Sequence, residues 1–339
     1  MDLYIKSLDK TQILNSYNFA RNSDSVFSEI VTKSQYLKLK NKNTYVIEEG
    51  KNFIYYMMKE LKVQENDIIF TNSYLIEPLF KKLNNLKFQN IKVISMQTDH
   101  HINKKMYTKK PKSVSTWYST NVDFNTSDLI PIPLGLANEY SPKNIQKNSY
   151  DVLEPVEKKI NKIYLNFEKN TNYFHRNKLQ KALFQKNHVF SVTNNLQIEE
   201  YLENLHKYKF ILCPFGNGID THRIWETLYA GSIPIIPKHH NFESIFKSDI
   251  FLFKNLKMLS NSSYELKFTD SSKHFDYLLN IEYWIDKISK DKVQNNYTPE
   301  VLSFNPVNIK TYYFEYKQRE SKRKKISTIL RKIHNKVFN

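Results

Sequence analysis

Short runs of β-branched and aromatic residues alternate with helix-length amphipathic segments through most of this 339-residue chain. That alternation constrains the fold more than any other feature, because parallel strands need a crossover between them, usually a helix. DIIFTNS (Asp67 to Ser73) reads as a strand running into a polar turn, and LIEPLFKKLNNL as the helix after it. NIKVISMQTDHH (Asn90 to His101) is a strand that ends in polar, titratable residues. SVSTWYSTN (Ser113 to Asn121) and DLIPIPLGL (Asp128 to Leu136) follow as short extended pieces. The polar segment from Ser141 to Lys159, with two prolines, reads as a linker. Beyond it a second series begins. NKIYLNF, HVFSVTN, KFILCPF and SIPIIP are its strands, and NYFHRNKLQKALFQK, IEEYLENLHKY and THRIWETLYAG the helices between them. FKSDIFLF and the helical HFDYLLNIEYWIDKI close it. The pattern predicts an α/β protein of two units, with ligands at the carboxyl ends of strands.

The stretch Cys213 to Pro237, CPFGNGIDTHRIWETLYAGSIPIIP, holds three of the chain's five glycines. A chain this poor in glycine places it where the backbone needs positive φ or close approach. KFILCPF predicts a buried strand, GNGIDT a turn whose Asp220 or Thr221 can cap the next helix, and Gly231 the residue just past that helix. Strand, glycine turn and helix N-terminus together offer backbone N–H groups to an anion. Arg223 falls in the first helical turn, where a cation opposes the helix dipole and a phosphate partner would explain it. Glu226 lies three residues on, on the same face. An arginine for phosphate and a carboxylate for ribose hydroxyls suit a nucleotide diphosphate, while a simple Arg–Glu surface pair is the alternative. Neither a Walker loop nor the dinucleotide fingerprint is present.

The formal net charge is +17, and Lys317 to Asn339 carries nine Lys or Arg against one Glu. Within that tail Ile326, Ile329, Leu330, Ile333 and Val337 recur at helical spacing, which predicts a basic amphipathic helix suited to an anionic membrane surface or to docking on the body. The basic run is terminal and the aromatics are dispersed, so no nucleic acid partner is expected. One cysteine excludes an internal disulfide framework, and Cys213 reads as a small core residue. No signal peptide and no membrane-spanning run is visible, which predicts a cytoplasmic protein, peripheral at most on the inner face of the membrane.

GNGIDTHRIWETLYAGSIPII resembles the donor-site segment of exostosin-like and fucosyltransferase-like glycosyltransferases, with Arg223, Glu226, Leu228, Gly231, Pro234 and Ile235 at the matching places. YLNFEKNTNYFHR is similar to their preceding strand, whose asparagine and donor-binding arginine fall on Asn166 and Arg176. TDHH and IPIPLGL resemble elements in the acceptor halves of related bacterial and viral polysaccharide transferases. The resemblance implies the GT-B architecture, two Rossmann-like domains facing a central cleft. Residues 1–150 would be the acceptor domain, 151–310 the nucleotide-sugar domain and 311–339 the basic helical tail. It also implies a nucleotide-diphosphate sugar as donor, a glycan or lipid-linked glycan as acceptor, and inversion at the anomeric carbon. Gly216, Asn217, Gly218, Asp220, His222, Arg223 and Glu226, with Asn166 and Arg176, are then the expected donor site. His222 stands where the fucosyltransferase-like pattern has a glutamate, which leaves Glu226 or His222 to hold the ribose.

An inverting transfer needs a base opposite the leaving nucleotide. Asp99 or His100 is the expected base, Glu139 a weaker one, and Asp128 a turn cap. The chain has no D-x-D pair, so neither a metal-dependent GT-A enzyme nor a DHH phosphoesterase is expected, and no metal or other cofactor is predicted. His239 and His240 read as a loop and not a zinc site. Trp225 and Tyr229 read as core. A nucleic-acid-binding protein and a non-catalytic sugar-binding homologue are the competing functions.

Overall fold

The computed structural model describes residues 7–145, 147–150, 158–192, 196–248, 252–260, 275–290 and 298–338. Of the linker expected from Ser141 to Lys159, residues 146 and 151–157 lie outside the described residues, and with them the start of the second domain expected at residue 151. In the first half run β1 (Ser25–Val31), β2 (Thr44–Glu49), β3 (Ile54–Met58), β4 (Glu60–Val63), β5 (Ile68–Asn72), β6 (Ile91–Met96), β7 (Val114–Ser119) and β8 (Leu129–Pro131). Seven of these form one sheet in the order β2-β3-β1-β5-β6-β7-β8. From β1 to β8 every neighbour is parallel. At the other edge β3 pairs antiparallel with both β1 and β2, so the sheet is mixed. The strands expected from Asp67 to Leu136, β5 to β8, are parallel throughout, and the antiparallel part lies before them in the chain. The β2–β3 ribbon closes locally, with the Gly50 N–H donating to the Phe53 carbonyl at 2.9 Å, and needs no crossover. The ladder of β8 runs on to Ile132 N, which donates to Ser119 O, and stops where Leu134 N donates to Asp220 instead, while Pro131 and Pro133 suit an edge strand.

The second half forms β9 (Ile160–Leu165), β10 (Val189–Ser191), β11 (Tyr208–Leu212), β12 (Ile233–Pro237) and β13 (Leu252–Phe253), all parallel, in the order β10-β9-β11-β12-β13. That is a doubly wound order, compatible with a Rossmann-like unit, and it reverses direction between β9 and β11. Helices Tyr173–Leu183, Ile198–Lys207 and His222–Tyr229 make the crossovers. β12 is buried throughout, as a strand covered on both faces must be. β14 (Glu300–Ser303) then returns to the first half and pairs antiparallel with β4. The helix Pro306–Phe338 follows, with Ile309 and Tyr313 packed into the core of that half. This return falls inside the 151–310 span expected of the second domain.

The halves share a core. One cluster of buried apolar side chains runs from Phe70, Ile94 and Met96 to Ile163, Trp225 and Ile235. Two buried lysines act as clamps. Lys92, on β6, donates to the carbonyls of Ile288 and Lys290, at the end of the helix Ile281–Ser289. Lys159 donates to the carbonyls of His206 and Ala230, at the ends of two further helices. Each cation meets the negative end of a helix, where its burial is compensated.

Candidate active site

Both sheets turn carboxyl ends toward a cleft of about 920 Å³. From the first sheet come Tyr74 after β5, Gln97 to Asp99 after β6, and Leu134 beyond β8. From the second come Asn166 after β9 and Gly216 to Gly218 after β11, the two strands flanking the point where the order reverses. Crevices at such points are where open α/β sheets bind ligands.

The His222–Tyr229 helix begins in this cleft. Thr221 is its N-cap by backbone geometry, yet no side chain caps it, and Thr221 Oγ1 is buried without a partner. Asp220 does not cap it either. Its carboxylate accepts from Leu134 N at 2.8 Å and from Trp225 Nε1 at 3.0 Å. Burial pushes its pKa up to about 7, against the lowering pull of those hydrogen bonds. The helix ends as expected: Gly231 has φ 65°, its N–H donates to Leu228 O, and Ser232 N donates to Thr227 O.

The glycine turn itself is not an open anion nest. Gly216 N donates to Gly218 O and Asp220 N to Asn121 Oδ1. Its glycines are there for close approach. A Cβ on Gly218 would stand 2.7 Å from Asn121 Oδ1, and one on Gly216 would stand 3.3 Å from Arg176 Nη2.

The cationic groups sit beside it. Arg176 Nε donates to Phe215 O and Nη1 to Glu168 O, both at 2.8 Å, which holds the guanidinium against the turn. Arg223 lies over the Tyr201 ring at 5.0 Å, and its Nη1 is buried with no hydrogen-bond partner. Burial, and then the neighbouring Arg223 charge, pull Arg176 down to about 10. Glu226 is 6% exposed and takes a hydrogen bond from Tyr201 Oη at 2.7 Å. The surface Arg–Glu pair that spacing alone allows is therefore not what forms. Asn166 Nδ2 donates to Val192 O at 3.1 Å. His222 Nδ1 donates to the Gly135 carbonyl at 2.7 Å, so that nitrogen carries the proton.

On the opposite wall Asp99 accepts from Asn217 Nδ2 at 3.2 Å. Its neighbour is placed differently. His100 is absent from the cleft lining, pairs with Glu320 at 3.3 Å, and packs on Tyr74 and Tyr316. Glu139 also stands outside the lining, bonded to Gln35. Asp128 accepts from Tyr107 and Lys110 and serves its own turn. His239 caps the helix His240–Phe246 through Nδ1, and Cys213, Trp225 and Tyr229 are buried. Among the described residues, no group of three His, Cys, Asp or Glu is arranged to hold a metal, and no helix is long and apolar enough to cross a membrane.

Two contributors escaped the sequence. Tyr201 looks like any aromatic on an amphipathic helix and carries no signal. Asn121 ends a strand in the polar run Ser119-Thr120-Asn121, and the strand-end rule that singled out TDHH applies to it equally.

A family model, the RXYLT1 C-terminal domain, matches residues 161–297. The match supports a glycosyltransferase, and its span contains Asn166, Arg176, the glycine turn, Arg223 and Glu226. No curated protein matches the chain.

Proposed function

We propose that this glycosyltransferase moves a sugar from a nucleotide-diphosphate donor to a hydroxyl of a glycan or lipid-linked glycan, with inversion and without a metal. The observation that carries the proposal is the pairing of Arg176 and Arg223 beside a helix start that no side chain caps, at the reversal point of a doubly wound sheet. Two adjacent guanidiniums, one with a buried unpartnered nitrogen, favour a multiply charged anion between them. The GT-B division, with residues 1–150 as acceptor side, 151–310 as donor side and 311–339 as tail, belongs to the same proposal.

In this account Arg176, Arg223 and the N-terminus of the His222–Tyr229 helix hold the diphosphate. Glu226, oriented by Tyr201, takes ribose hydroxyls, and His222 lies beside the phosphates. Asp99 receives the proton of the acceptor hydroxyl as its oxygen attacks the anomeric carbon. The bond to the diphosphate oxygen breaks, and the charge that develops there meets preorganised cations and N–H dipoles. The helical backbone running to Phe338 would carry the basic tail to an anionic inner membrane leaflet.

The test is a panel of nucleotide sugars with glycan acceptors, with released nucleoside diphosphate and transferred sugar both measured, with and without EDTA. Release and transfer from one nucleotide class, unaffected by EDTA, are expected. Transfer that EDTA abolishes would remove the metal-free mechanism, and silence across the panel would remove the transferase.

A further inference from the structure

Asn121 sits where the two walls of the cleft meet. It follows β7 in a left-handed backbone conformation (φ 57°), which asparagine tolerates better than other side chains, and it is 1% exposed. Its backbone and side chain grip both ends of the segment that carries Asp99. Ile102 N donates to its carbonyl at 2.9 Å, and its Nδ2 donates to Thr98 O at 3.3 Å. The same side chain also grips the glycine turn. Its Oδ1 accepts from Asp220 N at 2.9 Å, and it fills the space that a Gly218 side chain would need. Two further contacts join the same loops: Asn217 Nδ2 to Asp99 Oδ2, and His101 Nε2 to Asn217 O, both at 3.2 Å.

We infer that Asn121 is a positioning residue that sets the separation between the glycine turn, with Arg176 and Arg223 behind it, and the loop that presents Asp99. The chemistry requires an amide at this position. The turn offers an N–H and the Asp99 loop offers a carbonyl, so one side chain must accept on one side and donate on the other. The backbone must also sit at positive φ. Gly218 is the complementary half of the device. Without a Cβ there, the turn closes onto the amide, and the donor-side and acceptor-side loops share one fixed distance. A reacting group must be held near its attack geometry, and an error of about 1 Å can cost about a hundredfold in rate. The catalytic consequence rests on the transferase proposed above. The coupling of the loops does not.

The experiment uses the full chain and three variants. Asn121→Gly removes the side chain while tolerating the left-handed backbone, Gly218→Ala drives a methyl into the amide, and the third variant combines them. Backbone amide exchange by mass spectrometry reads peptides covering 98–103 and 215–222, and steady-state kinetics reads transfer. Asn121→Gly should speed exchange in both peptides. It should also lower kcat about ten- to hundredfold, the cost of misplacing a group by about 1 Å, with donor KM within about twofold. Gly218→Ala should do the same, and the double variant should be no worse than Asn121→Gly, because the clash has gone. Faster exchange confined to one peptide, or losses that add in full in the double variant, would overturn the inference. Should Gly218→Ala fail to fold, Asn121→Gly alone still decides through the two peptides. Coupled exchange in a chain that transfers no sugar upholds the coupling and overturns the transferase. Uncoupled exchange in an active chain overturns only the role of Asn121.

Discussion

The two walls of the cleft are built by different means. On the second sheet the polar groups come from segments contiguous with their strands: Asn166 one residue past β9, the turn just past β11, Arg223 and Glu226 on the helix that follows. Arg176 and Glu226 are held from within the second half, by the carbonyls of Phe215 and Glu168 and by Tyr201, while the turn is tied to Asn121 and Asp99 of the first half. On the first sheet the Thr98–His101 loop is fixed from far away in the chain, by Asn121, by Asn217, and by Glu320 on the C-terminal helix. Glu320 also accepts from the Tyr74 hydroxyl, and burial with that carboxylate beside it holds the phenol protonated, its pKa well raised. Arg176 and Glu226 thus keep a geometry that the second half dictates, and the glycine turn is the joint with the other wall. The Asp99 loop depends instead on how the two halves and the C-terminal helix come together.

The largest effect should separate neighbours within the remote wall. Asp99→Asn is expected to lower kcat about 10²–10⁴-fold, the usual span for losing a general base. His100→Asn should stay within a few-fold in kcat, because its ring faces Glu320 and the tyrosines. Equal losses would erase the distinction between these two residues. Next come the arginines. Arg223→Ala should cost about 10²–10³ in kcat, as when one preorganised donor to a developing charge is removed. Arg176→Ala should match it and also lower the melting temperature, since its guanidinium anchors the carbonyls of Phe215 and Glu168.

A smaller effect reports on the joint between the walls. Asp220 has a folded-state pKa raised from 3.8 to about 7 by burial. Between those values the unfolded chain ionises first, so stability should fall as pH rises from about 4 to 7. Thermal melts across that range should be flatter for Asp220→Asn than for wild type, and an unchanged slope would assign the pH dependence elsewhere. The smallest effect on transfer belongs to the tail. Truncation after Lys322 keeps the Glu320 contacts, so transfer to a soluble acceptor should survive, while sedimentation with anionic vesicles should weaken by up to about 1 kcal/mol per basic residue removed.

The same contrast governs what could be read in advance. Parallel strands and their helices are legible from Asp67 on because each crossover is a local pattern; the strand-end rule singles out Asp99, the helix dipole Arg223 and the family resemblance Asn166, and all three line one cleft. The antiparallel β2–β3 ribbon turns locally at Gly50 without the crossover helix that marks the other strands, and the return of β14 to β4 is a pairing with no local signature. His100 looked equivalent to Asp99 because the carboxylate that engages it lies 220 residues away. Glycine scarcity points to close approach in the turn, and that is what Gly218 provides, but the partner it approaches, Asn121, lies in the other half, and that pairing carries no local signal.

The most direct test of the central claim is a thermal-shift panel of UDP, GDP, CMP, ADP and dTDP on wild type and Arg223→Ala, with and without EDTA. A ligand that binds only the native state stabilises it by mass action, about 2.7 kcal/mol at a hundred times its Kd. The account predicts that one nucleotide raises the wild-type melting temperature, that Arg223→Ala loses the shift, and that EDTA changes neither. No shift with any nucleotide at millimolar concentration, or a shift that Arg223→Ala retains in full, would contradict it.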